Sequence, residues 1–264
     1  MKTVGSMQAA FTEIAQNPKF IFTGEKLRLP GSYQEEVDRY WKSTSASGKF
    51  FRGDVVVATE MVLAGAMPVV TVQLSDYAHY LFAMQDSKRR FDCRAVYCAT
   101  IVVTADFHLL LGEMADHTAT PGQIQCPGGG IDSRDLQSEL PPMSCCKREL
   151  DEEFGSAFSS ENFIPFAIKT LGRFNHVGIF FIAHLGFDNG EALRHFEDHN
   201  HGLRRCGHKP EIRALHMVPL KDDAIDRFIT QYGSSMVDYG EELLRHQTLA
   251  IQSKVLSNAI ITDT

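Results

Sequence analysis

The stretch "KRELDEEFG", residues 147–155, sets four carboxylates beside one arginine and one lysine. On a helix Glu149, Glu152 and Glu153 fall at i, i+3 and i+4, which directs all three side chains to one side. Like charges at that spacing repel, so something must offset them. One answer is a solvated acidic face with Lys147 and Arg148 as local partners. The other is a hard divalent cation such as Mg²⁺, which takes oxygen ligands from a few carboxylates.

The residues upstream favour the cation. "GQIQCPGGG" (122–130) reads as a strand running into a glycine cluster, and "PPMSCCKRELDEEFG" (141–155) as a helix with prolines at its entry and Gly155 at its exit. Gly128, Gly129 and Gly130 let the backbone turn sharply and approach a ligand closely. A strand, a glycine loop and a helix with three carboxylates on one side form a more specific pattern than any of these parts.

Bulk properties bound the function. The chain has 264 residues, 44% hydrophobic and 22% charged, which suits one or two folded domains. A formal net charge of −7 opposes general nucleic-acid binding, which needs a positive surface. The basic runs "SKRR" (87–90) and "LRR" (203–205) read as solvated loops. No apolar run approaches the ~20 residues that span a bilayer, and the opening "MKTVGSMQAAFTEIAQ" lacks a leader pattern, so a cytoplasmic protein with no membrane partner is expected. The six cysteines show no paired framework and are expected as free thiols.

Two regions differ in pattern. Residues 1–92 read as a small α/β unit: a strand "KFIFTGEKLRL", a helix "YQEEVDRYWKS", two β-branched strands "DVVVATEMVLAG" and "MPVVTVQLSD", and a helix "YAHYLFAMQ". Residues 93–264 read as a mixed sheet with helices. Strands are expected at "CRAVYCATIVVTAD", "HLLLGEMA", "TLGRFNHVGIFFIAHLGF" and "ALHMVPL", with helices near "GEALRHFEDH", "DAIDRFITQY" and "EELLRHQTLAIQSKVL". A loop is expected over 199–213. His195, His199, His201, Cys206 and His208 cluster there, but their spacing matches no zinc finger or ribbon, so a polar, solvated loop is the first reading.

The carboxylate helix and its glycine loop resemble the Nudix hydrolases, whose signature runs Gly, five residues, Glu, seven residues, then Arg-Glu-apolar-any-Glu-Glu-any-Gly-apolar. Arg148 to Gly155 reproduces its second half, and Gly130, preceded by "PGG", represents the first. Gly130 and Arg148 are eighteen positions apart instead of fourteen, so the connection carries four extra residues. Glu139 is only an approximate counterpart of the first glutamate, and Ser156 replaces the final apolar residue.

The resemblance implies an α/β fold, a Nudix α/β/α sandwich with a mixed sheet, preceded by the smaller N-terminal unit. It implies Glu149, Glu152, Glu153 and the Gly130 carbonyl as ligands of Mg²⁺, with Mn²⁺ as an alternative, and Arg148 as the residue that orients the carboxylates. Some members draw a general base from a later loop. Glu211 stands where such a residue could be, and a surface carboxylate is the equal alternative. Arg204, Arg205 and His208 could meet phosphates.

The N-terminal segments are similar to N-terminally extended members that hydrolyse UDP-glucose. That likeness makes a UDP-sugar the first substrate, cut to UMP and a sugar 1-phosphate. ADP-ribose, dinucleotide polyphosphates, nucleoside triphosphates and a catalytically silent nucleotide sensor remain as alternatives. Tyr77, Tyr80 and Phe82 could stack on a base, although aromatics at helical spacing read first as core. The family's habit suggests a homodimer.

Overall fold

The computed structural model describes residues 8–46, 51–65, 67–158 and 163–262, without the side chains of 259–262. Of the opening stretch weighed as a leader, residues 1–7 lie outside those described. No described helix is long and apolar enough to cross a membrane.

In chain order the elements are β1 (Ala9–Glu13), β2 (Lys19–Lys26), α1 (Gly31–Ser45), β3 (Asp54–Val62), β4 (Val69–Asp76), α2 (Tyr77–Gln85), β5 (Val96–Val103), β6 (His108–Met114), β7 (Ile124–Gln125), β8 (Gly128–Gly130), α3 (Pro141–Glu153), β9 (Phe163–Leu171), β10 (Val177–His184), α4 (Asn189–Arg205), β11 (Ile212–Pro219), α5 (Asp222–Tyr232), α6 (Gly240–His246) and α7 (Thr248–Thr262). They form two sheets. The larger runs β1-β9-β10-β5-β6-β11, with β7 on β6 and β8 on β5; the smaller runs β2-β4-β3. Because β10 and β5 are parallel while β9, β6 and β11 pair antiparallel to their neighbours, the large sheet is mixed.

The alternation of side chains along a strand builds the layers. On β5 Val96, Cys98 and Val102 enter one core, and Ala99, Ile101 and Val103 enter the other. On β10 Val177, Ile179 and Phe181 face the first core, and Phe180 and Ile182 the second. The first core receives α3 through Cys145, Cys146, Leu150 and Phe154, and α4 through Ala192 and Phe196. Val56, Ala58, Val70 and Val72 of the small sheet also join it. The second core is closed by Ile225 and Ile229 of α5, Leu243 and Leu244 of α6, and Ile251 and Val255 of α7. A mixed sheet between helical layers is the expected α/β arrangement.

The structure departs from the sequence reading at several places. β1 had no signal of its own, and it pairs with β9 from Ala9↔Leu171 to Glu13↔Ala167, so part of the N-terminal segment completes the large sheet. The apolar run read as one strand region is the end of β9 and all of β10, separated by a turn in which Leu171, Gly172 and Asn175 have φ of 60°, 79° and 55°. Residues 199–205 are not loop but the last two turns of α4, whose start is fixed by a reciprocal capping box between Asp188 and Glu191. The final helical run breaks at Gln247 into α6 and α7.

The run "SKRR" is not merely solvated. Arg89 pairs with Asp92 at 3.0 Å, and Arg90 pairs with Glu36 at 2.8 Å and Asp86 at 3.1 Å, which ties the segment after α2 back to α1. All six cysteines are free, and Cys206 alone among them is exposed.

Phe154 is fully buried, and its ring meets Phe158 at 5.3 Å and Phe196 at 5.6 Å, edge to face, where α3 is pressed against α4. Phe154→Ala is expected to cost about 3–5 kcal/mol. Urea denaturation would show this as a lower midpoint with an unchanged slope.

Candidate functional site

The site is assembled where β8, α3 and the segment entering β11 meet. β8 pairs antiparallel with β5, placing Gly128, Gly129 and Gly130 opposite Ala99, Cys98 and Tyr97. A β-carbon on Gly128 would fall on the Cys98 carbonyl, and one on Gly129 would fall on the Glu149 carboxylate. Gly128 and Gly129 are therefore needed because backbone and carboxylate occupy the space of a side chain, whereas a β-carbon on Gly130 would meet nothing within 4 Å.

Arg148 is the hub. Its Nη1 donates to Glu149 Oε1 at 2.6 Å and to Glu152 Oε2 at 3.3 Å. Its Nη2 donates to Asp135 Oδ2 at 2.8 Å and to the Gly130 carbonyl at 3.1 Å, and its Nε approaches Asp135 Oδ1 at 3.4 Å. Burial works against the guanidinium charge, but Asp135 and Glu149 outweigh it and hold the pKa above its usual value. One planar fork thus joins the loop, α3 and the connection between them.

The three glutamates are graded in depth. Glu153 is 4% exposed, and its Oε2 accepts the Gly128 N–H at 2.8 Å. Burial first, then repulsion from Glu149, push its pKa well above the ordinary value; the Gly128 N–H opposes and repulsion from Glu211 and Glu152 adds. Glu149 is also raised, by burial above all, against the pull of Arg148 and with further repulsion from Glu152 and Glu211. Glu152 is the outer member, its side chain 56% exposed. Glu211 lies immediately before β11, is exposed, and acts on both inner carboxylates through its charge.

Sequence reasoning missed Asp135. It sits in a short turn of the lengthened connection, 4% exposed, and accepts the Asp132 N–H at 3.0 Å as well as the Arg148 guanidinium. Glu139, the approximate counterpart chosen from the spacing, is exposed at the entry to α3. The buried Asp135 stands at the arginine instead. The Lys147 Nζ lies over the Phe163 ring at 5.9 Å.

The other residues singled out in the sequence sit mostly on α4 and α2. Arg204 and Arg205 are exposed on the last turn of α4, and Arg204 lines a groove of about 560 Å³ between α4 and β11, together with Phe196, Asn200, His201 and Leu215. Tyr77 opens α2 with its ring stacked on Tyr80 at 5.3 Å, and Tyr80 stacks on His176 at 5.2 Å. Phe82 packs on Tyr33 at 5.3 Å. Of the histidines, His195 meets Phe187 at 5.0 Å, and His199 bonds to the Glu152 carbonyl at 3.1 Å.

Among the described residues no group of three or more His, Cys, Asp or Glu is arranged to hold a metal ion. Glu149 is turned to Arg148 and Glu153 to Gly128. The chemistry of the donor set nevertheless fits a hard dication. It consists of carboxylates and one backbone carbonyl, and the two inner carboxylates are strained toward protonation by their burial and mutual repulsion.

No protein-family profile matches the chain, and no curated sequence is significantly similar to it. Solved structures that align with it include a MutT protein from Methanosarcina mazei Go1, at 14% identity over 56% of this chain and 88% of that one, with a TM-score of 0.37. A bifunctional NMN adenylyltransferase/ADP ribose pyrophosphatase from Francisella tularensis, complexed with AMP and a manganese ion, aligns at 12% identity over 66% of this chain and 48% of its own, with a TM-score of 0.37. A NUDIX hydrolase from Nitrosomonas europaea aligns at 15% identity over 62% and 88%, with a TM-score of 0.33. Likeness at this level assigns no family, and the functional reading rests on the residues of this chain.

The raised pKa of Glu153 has a stability consequence. Its folded form binds a proton more tightly than its unfolded form, so stability falls as pH rises from the ordinary glutamate value of 4.5 through the raised one. Glu153→Gln without added metal is therefore expected to be more stable than the wild type at pH 8. Thermal melts across pH should show that the difference closes below the ordinary value.

Proposed function

We propose that the chain is a Nudix-type hydrolase that cleaves the diphosphate of a nucleoside diphosphate-linked substrate with Mg²⁺, or Mn²⁺ in its place. The observation that carries this is the buried excess of negative charge. Glu149 and Glu153 lie beside Glu152 and Glu211, with Arg148 as the guanidinium bonded among them. A buried carboxylate without a cation is costly, and it persists where function requires it.

Glu149, Glu152, Glu153 and the Gly130 carbonyl would hold the cation. When bound, it would supply charge neutralisation at the phosphoryl oxygens and acidify water. Arg148 keeps Glu149 and Glu152 oriented, and Asp135 keeps Arg148 in place. Glu211 accepts the proton as a water oxygen bonds to one phosphorus, and the bridging P–O bond breaks toward the leaving phosphate. Arg204 and Arg205 offer charge to the substrate phosphates, and Tyr77 is the candidate for stacking on the base.

Within this reading the substrate is a UDP-sugar, giving UMP and a sugar 1-phosphate, and the chain acts as a cytoplasmic homodimer. The division into 1–92 and 93–264 belongs to the same proposal, with the smaller unit serving recognition. The substrate and the homodimer rest on the resemblance of the signature and the N-terminal segments, and the division rests on the change of sequence pattern.

The test is hydrolysis of UDP-glucose, UDP-galactose, ADP-ribose, a diadenosine polyphosphate and the nucleoside triphosphates, with products separated by chromatography. UMP from a UDP-sugar in Mg²⁺ is expected. Its formation should stop with EDTA and fall at least ~100-fold in Glu152→Gln, as expected for loss of a group that stabilises the transition state. No turnover of any of these compounds in Mg²⁺ or Mn²⁺, with thermal stabilisation by one of them, would replace the hydrolase with a nucleotide sensor.

A further inference from the structure

Helix α4 grips two separate parts of the acidic site with consecutive residues. His199 Nε2 donates to the Glu152 carbonyl at 3.1 Å, at the end of α3. Asn200, 3% exposed, donates from Nδ2 to the Ile212 carbonyl at 3.4 Å, one residue after Glu211. The first bond holds the turn that carries Glu152 and Glu153. The second holds the start of β11, where Glu211 enters.

Both contacts have a physical reason. The last carbonyls of a helix lack intrahelical partners. In α3 the Leu150 carbonyl takes the N–H groups of Phe154 and Gly155, and the Glu152 carbonyl receives His199. Gly155 makes room for this: its φ is +104°, and a β-carbon there would lie 2.8 Å from His199 Cγ. The terminal glycine of the acidic motif thus serves a left-handed turn and a cross-helix histidine at once. At Asn200 the carbonyl partner dictates that the amide nitrogen faces Ile212.

The rest of α4 is fixed as a rod. Its N-terminus is locked by the Asp188–Glu191 box, Asn189 N–H donates to Asp106 Oδ1 at 3.0 Å, and Phe196 is packed on Phe154. A rod anchored at its start and bonded to both acidic segments near its end can set their separation.

We propose that α4 is the positioning element of the acidic site, with His199 and Asn200 setting the gap between the α3 carboxylates and Glu211. The proposal rests on the hydrolase reading for its catalytic consequence. His199 and Asn200 are positioning residues and need not touch the substrate.

The experiment pairs hydrogen–deuterium exchange with kinetics. His199→Phe keeps a ring without the donor, His199→Gln restores a donor, Asn200→Leu removes the amide, and Ala192→Gly weakens the same helix while leaving both bonds. Should His199→Phe not fold, His199→Ala replaces it with the same readouts. Faster exchange is expected over 150–156 in His199→Phe and over 211–214 in Asn200→Leu, with the remaining segments unchanged. With UDP-glucose and Mg²⁺, kcat should fall about tenfold in both while KM stays within about twofold, because small misplacements of reacting groups act on rate. His199→Gln should recover most of kcat, and Ala192→Gly should keep it.

Unchanged exchange in both segments would overturn the proposal. So would faster exchange with full kcat, or an equal loss of kcat in Ala192→Gly. If the wild type hydrolyses neither UDP-glucose nor any other compound of the panel, the hydrolase reading fails and the exchange data alone decide whether α4 holds the two segments.

Discussion

The Arg148 guanidinium is the interaction on which the site depends. It spans 18 positions of sequence to reach the Gly130 carbonyl, and it ties Asp135, Glu149 and Glu152 to one planar group. A lysine could not replace it, since a point charge has no fork that meets Asp135 and Glu149 in fixed directions. Remove the arginine, and the buried Asp135 and the partly buried Glu149 lose the guanidinium that both are bonded to. Breaking a buried pair from one side costs several kcal/mol, about 3–5 in measured cases.

Around that hub the fold acts through register. β8 pairs with β5, so Gly128 presents its N–H to Glu153 and Gly129 leaves room for Glu149. α3 is held from beneath by Leu150 and Phe154 in the core it shares with α4. Strand, loop and helix therefore fix the inner carboxylates at a depth where their charge is costly. Glu152 and Glu211 remain exposed at the edge. The gradient from buried to exposed acid is what distinguishes this helix from a solvated acidic face.

Much of this was legible in the sequence because its causes are local. Glycines mark a close approach, prolines mark a helix entry, and carboxylates at i, i+3 and i+4 mark one side of a helix. Asp135 was not legible, since its role depends on how the lengthened connection folds back onto Arg148, and distance along the chain pointed instead to Glu139. The second half of α4 was hidden for a related reason. "HNHG" has low helix propensity, and the packing of Phe196 and the bond from Asn200 override it. β1 has five residues and no periodic signal, and it exists because β9 offers an edge. The break within "TLGRFNHVGIFF" depends on three residues in left-handed backbone, two of which are not glycine.

The central claim is that the buried acids form a cradle for a divalent cation. Calorimetric titration of Mg²⁺ into the wild type and Glu153→Gln tests it directly when repeated in buffers of different ionisation enthalpy. Because burial raises the Glu153 pKa, binding should release protons at any pH where that carboxyl is protonated in the metal-free protein, so the observed heat should vary with the buffer as the titration is repeated from pH 8 downward. The account predicts saturable binding with proton release in the wild type, and weaker binding without that release in Glu153→Gln. Absence of saturable heat with both Mg²⁺ and Mn²⁺, or identical isotherms for the two proteins, would contradict it.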